Sequence, residues 1–210
     1  MNNKEQTKQA HDAIANKYYE LYKDDKSDLM YFDEFLSQCK NKILDLGCGM
    51  GHYSTYMYNK GFNVTGIDFS KEMLKIAKKN NNHIEFIEAD ICDLSKLENN
   101  KYDGIVMAYV LQHLSKEEVK RLFDEINNHL QPESKLLLFL REGNSVLEEL
   151  EPINPKFKYV INEYTMEEIG PLLNTKGWEI MKAERKKYIE DPNSLSPNTL
   201  VILAKHRDNF

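Results

Sequence analysis

The sequence predicts an α/β fold, a doubly wound, seven-stranded and mostly parallel sheet with helices on both faces. Three observations carry that expectation. Strand-like apolar runs at 42–46, 63–68, 84–88, 102–108 and 135–140 alternate with segments of helical period, the pattern of strand–helix–strand crossovers. The first run continues into "ILDLGCGMG", Ile43 to Gly51, so a strand stops, turns on three glycines and enters a helix N-terminus. The last two runs, Trp178–Tyr188 and Thr199–Lys205, are joined by "IEDPNSLSPN", too short for a helical crossover, and are expected to pair antiparallel.

The elements follow in order. Residues 1 to about 10 are polar and read as a frayed end. Ile14, Tyr18 and Leu21 or Tyr22 then fall at helical spacing, giving an amphipathic helix from Ala10 to about Tyr22 with a tyrosine-rich stripe. It reads either as a helix packed on the core or as a lid bringing an aromatic wall over a ligand. A second helix, about Asp28 to Lys40, carries Leu29, Phe32, Phe35 and Leu36 on one face and completes a helical cap over about 10–40. Further helices are expected at Gly51–Lys60, Ser70–Asn80 and Ser115–Leu130, with a short one near Leu94. Ser70 opens one of these, and "SKEE", Ser115 to Glu118, has capping-box spacing. Between about 141 and 164, Pro152 and Pro155 mark an irregular insertion beside the sheet's active edge. The last helix, "TMEEIGPLLNTKG", opens on Thr165 and Glu168 but holds Gly170-Pro171, which predicts a kink or a late start. Gly177 ends it before the Trp178 strand. The whole, 1–210, reads as one domain.

Composition excludes several classes. A formal charge of -6 offers no general attraction to phosphate backbones or anionic membranes, so a nucleic-acid partner is disfavoured. The lysine-rich "KAERKK", Lys182 to Lys187, alternates along a strand and reads as a solvated face. Cys39, Cys48 and Cys92 form no CxxC pair and no disulfide framework, which suits reduced thiols in a cytoplasm. No apolar run approaches the ~18 residues of a membrane span and the first residues lack a signal-like apolar stretch, so a cytoplasmic protein is expected.

The glycine turn lets a ligand approach backbone N–H groups with the helix dipole behind them, which suits a nucleotide-like cofactor. A dinucleotide fingerprint would need glycine at His52, whereas this chain has Gly47, Gly49 and Gly51. The second strand, "NVTGIDFS", ends in Asp68, placed to accept both hydroxyls of a ribose in charge-assisted bonds. "IEFIEADICDL" brings Asp90 off the third strand tip, an acceptor for the exocyclic amine of an adenine, with Ile91, Phe69 and Met73 as apolar surfaces for its faces. Asp93 reads as an ordinary capping acid.

Successive motifs "ILDLGCGMG", "VTGIDFS", "IEFIEADICDL" and "YDGIVMAYVLQHL" resemble, in order, those of the class I S-adenosylmethionine-dependent methyltransferases, a likeness covering about residues 10 to 140. The resemblance implies the strand order 3-2-1-4-5-7-6, with strand 7 antiparallel. It also implies that Gly47, Cys48 and Gly49 line the methionine portion of S-adenosylmethionine and that Asp68 binds the ribose. Phe69, Met73, Asp90 and Ile91 would hold the adenine, and Ala108 would approach the methionyl group. Tyr18, in "AIANKYY", matches the aromatic that closes over the cofactor in many small-molecule members.

Such chemistry chiefly asks for alignment of a nucleophile with an already activated methyl group, so a general base is optional. His113 and Tyr109, after the fourth strand, and Arg141, leaving the fifth, are the candidates; His113 reads first as a loop support and second as a catalytic group, and Arg141 and Glu142 read equally as a surface ion pair. Tyr19, Tyr22 and Tyr164 are read as pocket-lining or as core residues. "MAYV" stands where amino-methylating enzymes for adenine or glutamine resemble one another in an Asn/Asp-Pro-Pro-aromatic motif, no Pro-Cys nucleophile occurs, and no carboxylate cluster has metal-ligand spacing. The expected function is methyl transfer to a small-molecule acceptor at O, N or C. Alternatives are a cofactor-binding module without turnover, a protein or tRNA methyltransferase, and more distantly a nicotinamide-dependent oxidoreductase.

Overall fold

A computed structural model describes residues 3–186 and 198–207. Strands β1 (Lys42–Leu46), β2 (Asn63–Asp68), β3 (Glu85–Glu88), β4 (Tyr102–Ala108) and β5 (Leu130–Arg141) run parallel, and a 7-stranded sheet is completed by β8 (Trp178–Arg185) and β9 (Thr199–His206). The spatial order is β3-β2-β1-β4-β5-β9-β8. Counting only this sheet's strands, that is 3-2-1-4-5-7-6, and β9 is antiparallel to both neighbours, as expected. The chain pairs this way because β1, β2 and β4 are central strands buried almost throughout, covered on both faces.

Two apolar layers do the covering. On one face α5 (Lys116–Asn127) and α6 (Met166–Thr175) set Leu122, Phe123, Ile126, Ile169 and Leu173 against Leu44, Ile105 and Leu136. On the other, α2 (Leu29–Leu36), α3 (His52–Asn59) and α4 (Lys71–Asn80) bring Phe32, Phe35, Met57 and Leu74 onto Ile43, Val64 and Val106. Buried Asp103 accepts the N–H groups of Lys40, Asn41 and Lys42 at 2.6, 3.0 and 2.7 Å, holding the chain where it enters β1. The Ser115 hydroxyl and the Glu118 carboxylate cap α5 reciprocally.

Four expectations are corrected. The first helix, α1 (Asn3–Tyr22), begins near residue 3, not near 10. Its first turns are tied down by tertiary bonds that no local pattern shows: Lys4 pairs with Asp90 and Glu118, and Thr7 is buried. The insertion is no irregular stretch but a hairpin, β6 (Val146–Leu150) paired antiparallel with β7 (Lys158–Asn162), its two prolines confined to the loop between them. Helix α6 starts on time at Thr165 and runs through Pro171, because Pro171 and Glu167 both lie on the exposed face, where water takes the bond that proline cannot make. The second helix ends at Leu36, four residues early, where Ser37, Gln38 and Cys39 turn toward β1. Lys187 and Tyr188 of the expected strand, and most of the "IEDPNSLSPN" link, lie outside the described residues.

Candidate functional site

The carboxyl ends of β1, β2, β4 and β5 open into a cavity of about 780 Å³, walled by α1 and by the β6–β7 hairpin. Its size is that of a small-molecule site. Its floor is the glycine turn. The Gly47 and Cys48 N–H groups both donate to the Ile67 carbonyl, at 2.8 and 2.9 Å. A Cβ on Gly47 would lie 2.5 Å from Val110, and its φ of +77° is left-handed. Gly49, φ +53°, faces open space, with nothing within 4 Å of where a Cβ would stand. The backbone is bare at that point.

Asp68 is tied to this turn. Its Oδ2 accepts the Gly49 N–H at 2.8 Å and its Oδ1 the Ser70 N–H at 2.8 Å. Burial pushes its carboxyl up to about 6 despite those bonds. Ser70 caps α4 by accepting the Met73 N–H, and its own hydroxyl donates to Asp12 of α1 at 2.7 Å. The first helix is thus latched to the strand tip that carries Asp68. At the next tip Asp90 accepts the Cys92 N–H at 2.9 Å and the Lys4 ammonium at 2.6 Å.

Tyr18, Gly47, Cys48, Gly49, Asp68, Phe69, Met73, Asp90, Ile91 and Ala108 all line the one cavity. Gly51 does not: it sits behind the turn, where a Cβ would meet Phe86 and Ala77. Asp93 caps a short turn through the Ser95 N–H, as expected.

The candidates for catalysis fare differently. His113, His11 and Tyr159 form a ring cluster, with centroids 5.3 Å apart for His113–His11 and 5.4 Å for His113–Tyr159. Burial pulls the His113 imidazole down to about 3 and His11 to about 4, so both are neutral near pH 7. Among the described residues, His113 Nδ1 has no hydrogen-bond partner. The Tyr109 hydroxyl is spent on Asp28 at 3.0 Å, and burial raises its pKa further, which leaves it a poor base. Arg141 grips Glu149 bidentately, 2.8 Å on each bond, and also reaches Glu163 at 3.1 Å. It fastens the hairpin to the sheet rather than pairing with Glu142, which instead holds Arg185. Tyr22 lines the cavity, whereas Tyr164 is core, its hydroxyl donating to the Leu114 carbonyl at 3.1 Å.

Several residues of the site escaped sequence reading. Asp28 is buried, accepts the Tyr53 hydroxyl at 2.7 Å and meets the Lys186 ammonium at 2.5 Å, so one end of "KAERKK" turns inward while Lys182 pairs with Glu34 and Glu184 outside. Asp45 lies buried under the turn, accepts the Ser54 hydroxyl at 2.6 Å and is pushed up to about 7 by burial. An acid inside the apolar "ILDLG" was the available signal for it. Glu151, Tyr159 and Lys4 carried none, since the hairpin and the early start of α1 were not foreseen.

Residues 43–133 match the family model of a methyltransferase domain. They are a class I methyltransferase domain. Malonyl-[acyl-carrier protein] O-methyltransferase 2 of Ilyobacter polytropus is 30% identical over 156 residues, 71% of this chain and 59% of that protein. Ubiquinone biosynthesis O-methyltransferase of Rickettsia typhi is 34% identical over 98 residues, 44% of this chain and 38% of that protein. The chain spans about half the length of the curated relatives it matches. Among solved structures, 1,6-didemethyltoxoflavin-N1-methyltransferase of Burkholderia thailandensis, with bound 1,6-didemethyltoxoflavin and S-adenosylhomocysteine, superposes with a TM-score of 0.75 at 16% identity, over 99% of this chain and 92% of that one. A Methanosarcina mazei S-adenosylmethionine-dependent methyltransferase gives 0.74 at 22%, over 84% and 97%. The methyltransferase fold therefore extends over the cap and hairpin as well as the matched domain. Among the described residues no group of three His, Cys, Asp or Glu is placed to hold a metal ion, and no helix is long and apolar enough to cross a membrane.

Proposed function

We propose that the domain transfers a methyl group from S-adenosylmethionine to a small-molecule acceptor, by in-line displacement at an O, N or C nucleophile. One observation carries the reading: the bare backbone at Gly49, the two strand-tip acids Asp68 and Asp90, and a second, aromatic half all belong to one cavity. The residues fit the cofactor. Gly47, Cys48 and Gly49 would line the methionyl part, with open space at Gly49, and each of the two acids retains acceptor lone pairs beyond the bonds described. Phe69, Met73 and Ile91 would offer apolar faces to the adenine, Ala108 would approach the methionyl group, and Tyr18 lines the cavity from α1.

When bound, the sulfonium supplies a methyl group activated for displacement. The chain contributes orientation and exclusion of water: α1, latched by Lys4 and Asp12, and the hairpin, clamped by Arg141, hold the acceptor between them. Burial pulls the His113 imidazole down to about 3, so it stays neutral and can offer an acceptor a hydrogen bond but is too weak a base to hold its proton. The enclosure and the acidic balance support a small acceptor over a protein or tRNA. Incubation with methyl-labelled S-adenosylmethionine and a cell extract split by size tests this. Label in the small-molecule fraction supports it, and label confined to protein or RNA refutes it.

A further inference from the structure

The half of the cavity away from the glycine turn is built from tyrosines and charges, and the charges do not balance locally. Its three described cations are all engaged. Arg141 is held between Glu149 and Glu163, Lys186 lies on Asp28, and Arg185 is paired with Glu142. Each is neutralised where it stands, so none is available to a carboxylate or phosphate on the acceptor.

Glu151 has no such partner. It lines the cavity, is 1% exposed and accepts the Asn154 N–H through Oε2, and among the described residues no cation pairs with it. A buried carboxylate facing no cation is costly, and a positive group that meets it recovers that cost. Asp28, also buried, is by contrast already matched by the Lys186 ammonium at 2.5 Å, which leaves Glu151 as the uncompensated charge. The walls suit a positive charge as well: Tyr18 and Tyr22 lie with ring centroids 4.6 Å apart, and Tyr159 stands on the hairpin opposite. The phenols of Tyr18 and Tyr159 are both raised, by burial first and with the charge of Glu151 contributing, which places that carboxylate near both rings.

We infer that the acceptor is a small molecule bearing a protonated amine, received by Glu151 between the rings of Tyr18, Tyr22 and Tyr159. The inference rests on the methyltransferase reading above and adds the substrate class to it. It explains the clamp on Arg141: this guanidinium of the cavity wall is tied down by two carboxylates, which keeps the pocket selective against anions. The ammonium is a recognition handle and is independent of which atom becomes methylated.

The test is equilibrium binding to the full chain, saturated with S-adenosylhomocysteine, of three probes of one shape: phenethylamine, 2-phenylethanol and phenylacetate. The expected result is that phenethylamine binds at least about tenfold more tightly than either of the others. Glu151→Gln keeps an oxygen for the Asn154 N–H and should erase that preference, with S-adenosylhomocysteine affinity unchanged. Equal binding of the three probes, a preference for phenylacetate, no binding of phenethylamine, or a preference surviving Glu151→Gln overturns the inference. If S-adenosylhomocysteine itself does not bind the folded wild-type chain, the methyltransferase reading fails first and the inference with it. The wild-type comparison needs no variant to fold.

Discussion

The Gly49 N–H donates to the Asp68 Oδ2 at 2.8 Å, joining the middle of the glycine turn to the tip of the neighbouring strand. One bond therefore fixes the turn and aims the carboxylate, and both belong to the same end of the cavity. Loss of the Asp68 side chain should disturb the ligand and its cradle together. Asp68→Ala is expected to weaken S-adenosylhomocysteine binding by more than about tenfold, since a charge-assisted bond is worth ~1.5 to 3 kcal/mol. Calorimetry gives the number, and unchanged affinity removes the ribose assignment.

The buried carboxylates predict a pH dependence. Burial pushes the Asp68 carboxyl up to about 6, and the proposed contact to the ribose hydroxyls calls for its charged form. S-adenosylhomocysteine should therefore bind progressively more weakly as pH falls through 6. His11 and His113, near 4 and 3, stay neutral across that range and add nothing to it. Affinity measured from pH 8 to pH 5 should show the decline, and Asp68→Asn should flatten it.

Asp45 gives a stability signature of defined sign. Its folded pKa, about 7, lies above that of an exposed carboxylate, so the folded state holds the proton longer and loses stability as pH rises through 7. Asp45→Asn keeps an acceptor for the Ser54 hydroxyl and cannot ionise. Its melting temperature relative to wild type should be higher at pH 8 than at pH 5. A difference independent of pH would contradict the buried-charge account.

Gly47 and Gly49 should fail in different ways. Alanine at Gly47 meets Val110 at 2.5 Å in a left-handed backbone, so Gly47→Ala should lower stability by about 2 kcal/mol or more. Alanine at Gly49 meets no protein atom and carries only the backbone cost of about 1 kcal/mol, yet its methyl occupies the bare face of the turn. Gly49→Ala should fold and lose most cofactor affinity. Chemical denaturation and calorimetry on both variants separate the two effects.

Arg141 should prove structural for the hairpin. Arg141→Gln leaves Glu149 and Glu163 without their shared cation and should cost about 1–3 kcal/mol, with S-adenosylhomocysteine affinity little changed. Faster amide exchange in β6 and β7 than in β4 would confirm where the loss falls.

The parallel sheet, its order and its antiparallel end were legible because strands buried on both faces read as apolar runs and short links forbid crossovers. The glycine-turn end of the cavity was legible too, since a glycine turn and strand-tip acids follow directly from strand periodicity. The acceptor half was not. Asp28, Lys186 and the pair Glu151 and Tyr159 come from three separate segments, and their meeting depends on a hairpin whose strands are short and half exposed. Alternation is weak where both faces see solvent or cavity. The early start of α1 was hidden for a related reason: Lys4 and Thr7 are held by partners more than eighty residues away or by burial under tertiary contacts. A polar sequence betrays neither.

The glycine turn and its two acids are predicted to hold S-adenosylmethionine. Calorimetric titration of the purified chain with S-adenosylmethionine, S-adenosylhomocysteine and NAD in parallel tests it most directly. Micromolar binding of both sulfur compounds, without binding of NAD, is the predicted result. Folded protein that binds neither sulfur compound, or that prefers NAD, would contradict it.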